Sequence, residues 1–141
     1  MEIYCDTSAL VALLTSEPST PTIKQWFTEL DSTLVCADWG YTEFHSAIAI
    51  KIRTGQLAET QATETLALLE LLSSGGLRWI PVSRSAFRAA AHLVDEHQHG
   101  LRGGDALHLA VARELGIKHF ATLDANQRIN AERLGLLPEL F

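Results

Sequence analysis

The sequence predicts an α/β fold, a parallel β-sheet of four to five strands sandwiched between α-helices. Two observations carry this. Short β-branched and apolar runs alternate along the chain with longer segments of helical character, an alternation that argues for parallel strands joined by covering helices. No repeat, low-complexity stretch or linker interrupts the alternation, and 141 residues suit one domain with one core. Residues 1–141 are therefore expected to form a single domain.

The elements follow in order. Residues 3–5 are an apolar run read as a first strand, and Thr7 to Leu14 read as a short helix halted by Ser16–Pro18. Thr20-Pro21 supplies a capping hydroxyl and then a proline at the first helical position, opening a helix to about Leu30. Thr33 to Ala37 is the second strand. Asp38 is placed to cap the next helix, which stops at Gly55. A helix over about residues 58–72 ends at Ser74-Gly75-Gly76. Residues 77–82 form a third strand, which Pro81 marks as ending early or lying near an edge. Ser83 or Ser85 caps a helix to about His97, and a further helix runs from near Gly104 to Gly116. Residues 119–123 are a fourth strand, and residues 125–134 a last helix.

Composition excludes several classes. No apolar stretch nears the roughly 20 residues needed to span a bilayer. The start MEIYCD has neither the basic nor the apolar region of a signal peptide, so a cytoplasmic location is expected. Cys5 and Cys36 each lie in an apolar run and read as buried thiols rather than a disulfide framework. A net charge of −6, from 11 Lys and Arg against 17 Asp and Glu, is the wrong sign for an ordinary nucleic-acid binder. Acids clustered around divalent cations would lower the formal charge in this way, with the cations restoring it locally.

Parallel sheets place ligands at the carboxyl ends of their strands. Asp6 directly follows the first strand and Asp124 the fourth, while Asp105 lies in the first turn of a helix after Gly103-Gly104. Each of these three would also serve as a helix cap or dipole partner. Glu43 differs. It stands a turn inside its helix, among Gly40, Phe44, Ala47, Ile48 and Ile50, where a carboxylate either lies exposed at the edge of the apolar face or is desolvated and needs a compensating partner. A cation would be that partner and would also explain the other acids. Four carboxylates without counter-charge repel one another, and hard oxygen donors suit Mg²⁺ or Mn²⁺. Such a site acidifies a water for in-line attack on a phosphodiester and needs no serine or histidine nucleophile.

The segments YCDTSALVALL, TEFHSAI, LRGGDALHLAVA and HFATLDANQ, in this order, resemble the PIN-domain ribonucleases. Within that family they look like a VapC-type toxin of a bacterial toxin–antitoxin pair. LRGGDALHLA is the most specific piece, and the resemblance covers essentially the whole chain. It implies a PIN-like fold with Asp6, Glu43, Asp105 and Asp124 as catalytic and metal-binding acids. Thr122 and Ser8 would be supporting hydroxyls. It further implies Mg²⁺ or Mn²⁺ as cofactor, RNA as substrate, a VapB-like antitoxin as partner and a homodimer. Some relatives carry another acid just after the fourth; here Ala125 and Asn126 stand there, leaving one or two metals open.

Arg102, one turn before Asp105, is a candidate phosphate contact or a plain surface arginine. His92, His97 and His99 read as solvated, and His108 as packed and hydrogen-bonded. The leucines at 66, 68, 69, 71 and 72 exceed what one helix face needs for a core, so they suggest either a partner surface or ordinary packing. Two other functions fit the same sheet. A haloacid-dehalogenase-like phosphatase would want Asp where Ser8 stands, and a non-catalytic binding module would be expected to have lost an acid.

Overall fold

The computed structural model describes residues 1–141. The chain runs β1 (Glu2–Cys5), α1 (Thr7–Leu14), α2 (Thr20–Glu29), β2 (Thr33–Ala37), α3 (Asp38–Arg53), α4 (Glu59–Ser73), β3 (Leu77–Ile80), α5 (Arg84–Asp95), a 3-10 turn (His97–His99), α6 (Gly103–Glu114), β4 (His119–Ala121), α7 (Ala125–Arg133) and β5 (Leu137–Pro138). All five strands are parallel, in the order β3-β2-β1-β4-β5. The predicted α/β sandwich is the fold observed. No helix is long and apolar enough to cross a membrane.

Alternate strand residues face opposite sides of the sheet, and both sides are buried. Ile3, Cys5, Leu34, Cys36 and Ala121 pack with apolar side chains of α1 to α4. Tyr4, Val35, Ala37 and Phe120 pack on the other side with α5, α6 and Ala131 of α7. Tyr4 and Phe120 stack, with centroids 5.3 Å apart and planes 8° from parallel. Burial on both faces is why these strands read as continuous apolar runs.

Several boundaries differ from the sequence expectation for identifiable reasons. β3 stops at Ile80 because Pro81 has no N–H for the ladder. β5 was hidden by its brevity and by Pro138, yet Leu137 and Glu139 on either side donate to Lys118 O and Phe120 O, each at 2.8 Å. That is how an edge strand accommodates proline. The cap position of α3 is Ala37, with Asp38 already inside the first turn, where its charge still suits the helix dipole. Thr20 does not cap α2; the cap position is Ser19, which makes no side-chain bond. The buried Thr20 hydroxyl instead accepts from Glu17 N–H at 2.8 Å and reaches the carbonyls of Ala12 and Thr15. Ser83 does cap α5, accepting from Ala86 N–H at 2.9 Å.

Among the α4 leucines, Leu69 is fully buried and Leu66 and Leu72 pack partly on the core, while Leu68 and Leu71 are exposed. The excess noted in the sequence is therefore those two residues.

Gly40 sets how closely α3 approaches the sheet. A Cβ at this position would lie 2.4 Å from Cys36 Sγ, and Cys36 is fully buried. Gly40→Ala should gain up to about 1 kcal/mol of helix propensity but lose about 1–3 kcal/mol to overpacking. A lower melting temperature is the expected net result. In a Cys36→Ala background the clash disappears, so the same substitution should become neutral or stabilising. Additive effects across this double-mutant cycle, measured by thermal melts, would contradict the close approach.

Candidate active site

The carboxyl ends of β1 and β4 lie side by side, joined by a hydrogen bond from Asp6 N–H to Ala121 O at 3.0 Å. Asp6 is the residue after β1, and Asp124 directly precedes α7, three residues past β4. Both prove to be helix caps as well. Asp6 Oδ1 accepts from Ala9 N–H at 3.2 Å, and Asp124 Oδ1 from Gln127 N–H at 2.8 Å. Capping and convergence at the edge are thus one arrangement: capping carboxylates sit at the strand-to-helix junctions, which is where the edge lies.

Asp6 is almost inaccessible, at 3% exposure. Burial raises its carboxyl above the ordinary aspartate range, and the nearby His108 ring, the Ser8 and Thr122 hydroxyls and the Ala9 amide pull in the opposite direction. Ser8 Oγ donates to Asp6 Oδ1 at 2.6 Å and accepts from Leu123 N–H at 3.0 Å. Thr122 Oγ1 lies 3.3 Å from Ser8 Oγ and accepts from Asp124 N–H at 3.1 Å. The two hydroxyls therefore link the first acid to the last.

Asp105, half-buried in the first turn of α6, is also raised. Burial is the main cause, and the charges of Asp124, Asp6 and Glu43 add to it. A single carboxylate that feels all three others places the four acids in one electrostatic neighbourhood. None of the three aspartates has a Lys or Arg partner; the ion pairs of the chain lie elsewhere. No group of three or more His, Cys, Asp or Glu side chains is arranged to hold a metal ion directly. Of the four acids, Asp124 lines an open cleft of about 500 Å³, together with Thr7, Ser8, Val11, Glu17 and Leu123.

Glu43 has protein partners that its helical neighbours in sequence did not reveal. Its Oε1 accepts from Thr7 Oγ1 at 2.8 Å and lies 2.5 Å from His108 Nε2. Burial works against its charge, but His108, Thr7 and the Trp39 indole outweigh that and hold the carboxyl below the ordinary range. The sequence argument that Glu43 needs a compensating partner is met in part within the chain. Gly104 makes room for this group: a Cβ there would lie 2.8 Å from Trp39 Nε1 and 2.9 Å from Glu43 Oε2.

Of the remaining candidates, Arg102 is exposed at the cap position of α6 and makes no side-chain cap bond. Asn126 lies in the first turn of α7 and donates to His99 O and Gly100 O. The buried Cys5 and Cys36 are free thiols. A second groove of about 540 Å³ runs beside Gly104, lined by Trp39, Phe87, Ala90, Val94 and Leu107. Sequence reasoning missed Tyr4, Thr7, Trp39 and Gly104 at this site. Tyr4 and His108 are 104 positions apart, and the one available signal was that His108 follows Asp105 by nearly one helical turn.

The PIN domain family model matches residues 3–132. The chain is a PIN-domain protein. Ribonuclease VapC45 and Ribonuclease VapC49 of Mycobacterium tuberculosis are each 30% identical over 114 residues, 81% of this chain and 76% of theirs. Among solved structures, Mycobacterium tuberculosis VapC20, described as a sarcin-ricin loop cleaving toxin, superposes with a TM-score of 0.75 at 19% identity, covering 96% of each chain. A chain of VapBC2 from Rickettsia felis, solved bound to a DNA fragment from the promoter, superposes at 0.68 with 16% identity, covering 99% of this chain and 98% of that one. At those identities the structures attest the shared PIN fold, while the matched family model and the curated relatives give membership.

The opposite shifts of these acids give opposite pH signatures. A carboxyl raised by folding stabilises the fold below its unfolded value, near 3.8 for Asp6 and Asp105, and loses that contribution as pH rises through the folded value. At neutral pH both therefore burden the metal-free fold. Asp6→Asn and Asp105→Asn should raise the melting temperature in EDTA at pH 7 by ~3 °C or more, with the gain shrinking toward pH 4. Glu43 is lowered from 4.5, so its contribution is present above that value and lost as pH falls through the folded one. Glu43→Gln should accordingly lower the melting temperature at pH 7. Thermal melts across pH check all three signs.

Proposed function

We propose that this protein is a Mg²⁺- or Mn²⁺-dependent endoribonuclease, the VapC-type toxin of a toxin–antitoxin pair. The observation that carries the proposal is the cluster of Asp6, Glu43, Asp105 and Asp124 at one sheet edge, three of them without a basic partner. The donor set fits the cofactor. It is all oxygen, which suits a hard cation, and Mg²⁺ is commonly held by one or two carboxylates while keeping several waters, so an open cleft serves better than a closed cage. A divalent cation bound there would supply Lewis-acid polarisation of the phosphodiester and an acidified water.

The chain's own groups hold and orient. Asp6 and Asp124, fixed by their capping bonds and by Ser8 and Thr122, would present carboxylate oxygens to the cation. Asp105 and Glu43 would complete the set from α6 and α3. Ser8 is poorly placed as a nucleophile, because its hydroxyl already donates to Asp6 and accepts from Leu123. His108 is poorly placed as a general base, being 1% exposed with both ring nitrogens engaged. Both facts favour water as the attacking group. Arg102, exposed one turn before Asp105, is proposed to contact a substrate phosphate.

The relatives' names support ribonuclease activity, and the structural neighbours include toxin–antitoxin complexes from Rickettsia felis and Klebsiella pneumoniae, which support a VapB-like antitoxin partner. Exposed Phe87 and the apolar groove beside Trp39 favour partner contact, including a homodimer. We read residues 1–141 as one domain acting in the cytoplasm. The dehalogenase-like alternative gains nothing from the site, since Ser8 stands where its second aspartate belongs. A non-catalytic role gains nothing either, with all four acids present.

Purified protein should cleave RNA internally with Mg²⁺ or Mn²⁺ and stop on addition of EDTA. Asp105→Asn should reduce cleavage by more than the roughly 100-fold typical of losing an outer-shell partner, with the fold intact by circular dichroism. Cleavage at wild-type rate by folded Asp105→Asn, or in excess EDTA, would overturn the mechanism.

A further inference from the structure

Below the acids lies a buried chain of hydrogen bonds for which the cleavage mechanism has no direct use. Ala37 N–H, at the end of β2, donates to Tyr4 Oη at 3.1 Å. Tyr4 Oη lies 2.7 Å from His108 Nδ1, and His108 Nε2 lies 2.5 Å from Glu43 Oε1. Tyr4 and Ala37 are fully buried, and His108 is nearly so, so no water is at hand to correct a mismatch and each donor must find its acceptor here.

That requirement fixes the direction of the chain. The Tyr4 hydroxyl has one hydrogen, and one of its lone pairs is taken by Ala37. Were His108 to donate from Nδ1, the Tyr4 hydrogen would be left with the Cys36 sulfur alone, a weak acceptor. Tyr4 therefore donates to Nδ1, the ring proton resides on Nε2, and Nε2–H donates to Glu43 Oε1. Thr7 Oγ1 donates to the same oxygen. Oε1 is thus turned into the protein, while Oε2 lies over Gly104 beside the Trp39 indole nitrogen, where the absent Cβ leaves space.

We propose that Tyr4 and His108 are positioning residues that lock Glu43, holding Oε1 so that Oε2 is the oxygen offered to the cation. This rests on the metal-site reading above. It goes beyond that reading by assigning one tautomer, one oxygen and two residues that touch neither metal nor RNA. The backbone amide that ends β2 is tied through Tyr4 and His108 to a carboxylate on α3, so the sheet itself sets the angle of the ligand. Partners of this kind commonly contribute 10–100-fold to metal affinity.

Two measurements test it without RNA. In the metal-free wild-type chain, the ¹⁵N resonances of His108 should show Nε2 protonated and Nδ1 as the acceptor; a ring protonated at Nδ1, alone or at both nitrogens, overturns the assignment. Mn²⁺ affinity is then measured by electron paramagnetic resonance. His108→Leu should weaken binding about 10–100-fold. His108→Gln, whose amide nitrogen occupies the place of Nε2, should restore most of it, and His108→Asn, whose amide reaches only the place of Nδ1, should not. Wild-type affinity in folded His108→Leu overturns the positioning role. If His108→Leu does not fold, the Gln and Asn variants decide, and equal affinities for the two overturn it. A wild-type chain that binds no Mn²⁺ removes the metal site and this role together, a result distinct from intact binding that His108 does not influence.

Discussion

Negative charge brought together without a Lys or Arg partner is the constraint to which the rest of this structure answers. Asp6 and Asp124 follow the ends of β1 and β4, and Asp105 feels the charges of both and of Glu43; such repulsion tends to drive carboxylates apart or protonate them. The chain opposes this with fixed dipoles instead of Lys or Arg. Ser8, Thr122 and the first amides of α1 and α7 hold the two strand-end aspartates, and His108 and Thr7 hold Glu43. Hydroxyl and amide donors keep a carboxylate in place while leaving its charge available, whereas a Lys or Arg salt bridge would cancel it.

The same constraint accounts for features of the packing that otherwise look unrelated. Gly40 lets α3 settle against Cys36, and Gly104 leaves α6 open beside Trp39 and Glu43. Both are places where one methyl group would push a helix or a ligand outward. The stack of Tyr4 on Phe120 fixes the ring whose hydroxyl reaches His108. Core packing and site geometry are one problem at this edge, because the residues just inside the acids are also the centre of the sheet.

Much of the fold was legible in the sequence because it depends on local rules. Apolar strand runs, the stop at Pro81, the proline opening α2 and the Ser83 cap each act within a few residues. What stayed hidden depended on tertiary placement. Thr20 has the chemistry of a cap, but burial turned its hydroxyl toward Ala12 and Thr15. β5 contains only two residues and exists because Phe120 and Lys118 offer their carbonyls. At the site, the four acids could be named from their positions, and their common neighbourhood follows from the sheet order. The partners of Glu43 could not be, because Tyr4 and His108 each read as ordinary members of an apolar element. Nothing local links residues so far apart in the chain.

The strand order also has a consequence for the time at which the site comes into being. β1 is the central strand, yet its neighbour β4 follows it only after β2 and β3 have been made, so the contact between Ser8 and Thr122 spans 114 positions. Long-range pairings of this kind form late, since loop closure must precede their reward. On the ribosome, where chains emerge from the N-terminus onward, Asp6 and Glu43 are exposed well before Asp105 and Asp124 exist. A chain made only as far as β3 therefore carries two of the four acids, and their common neighbourhood waits for α6 and β4.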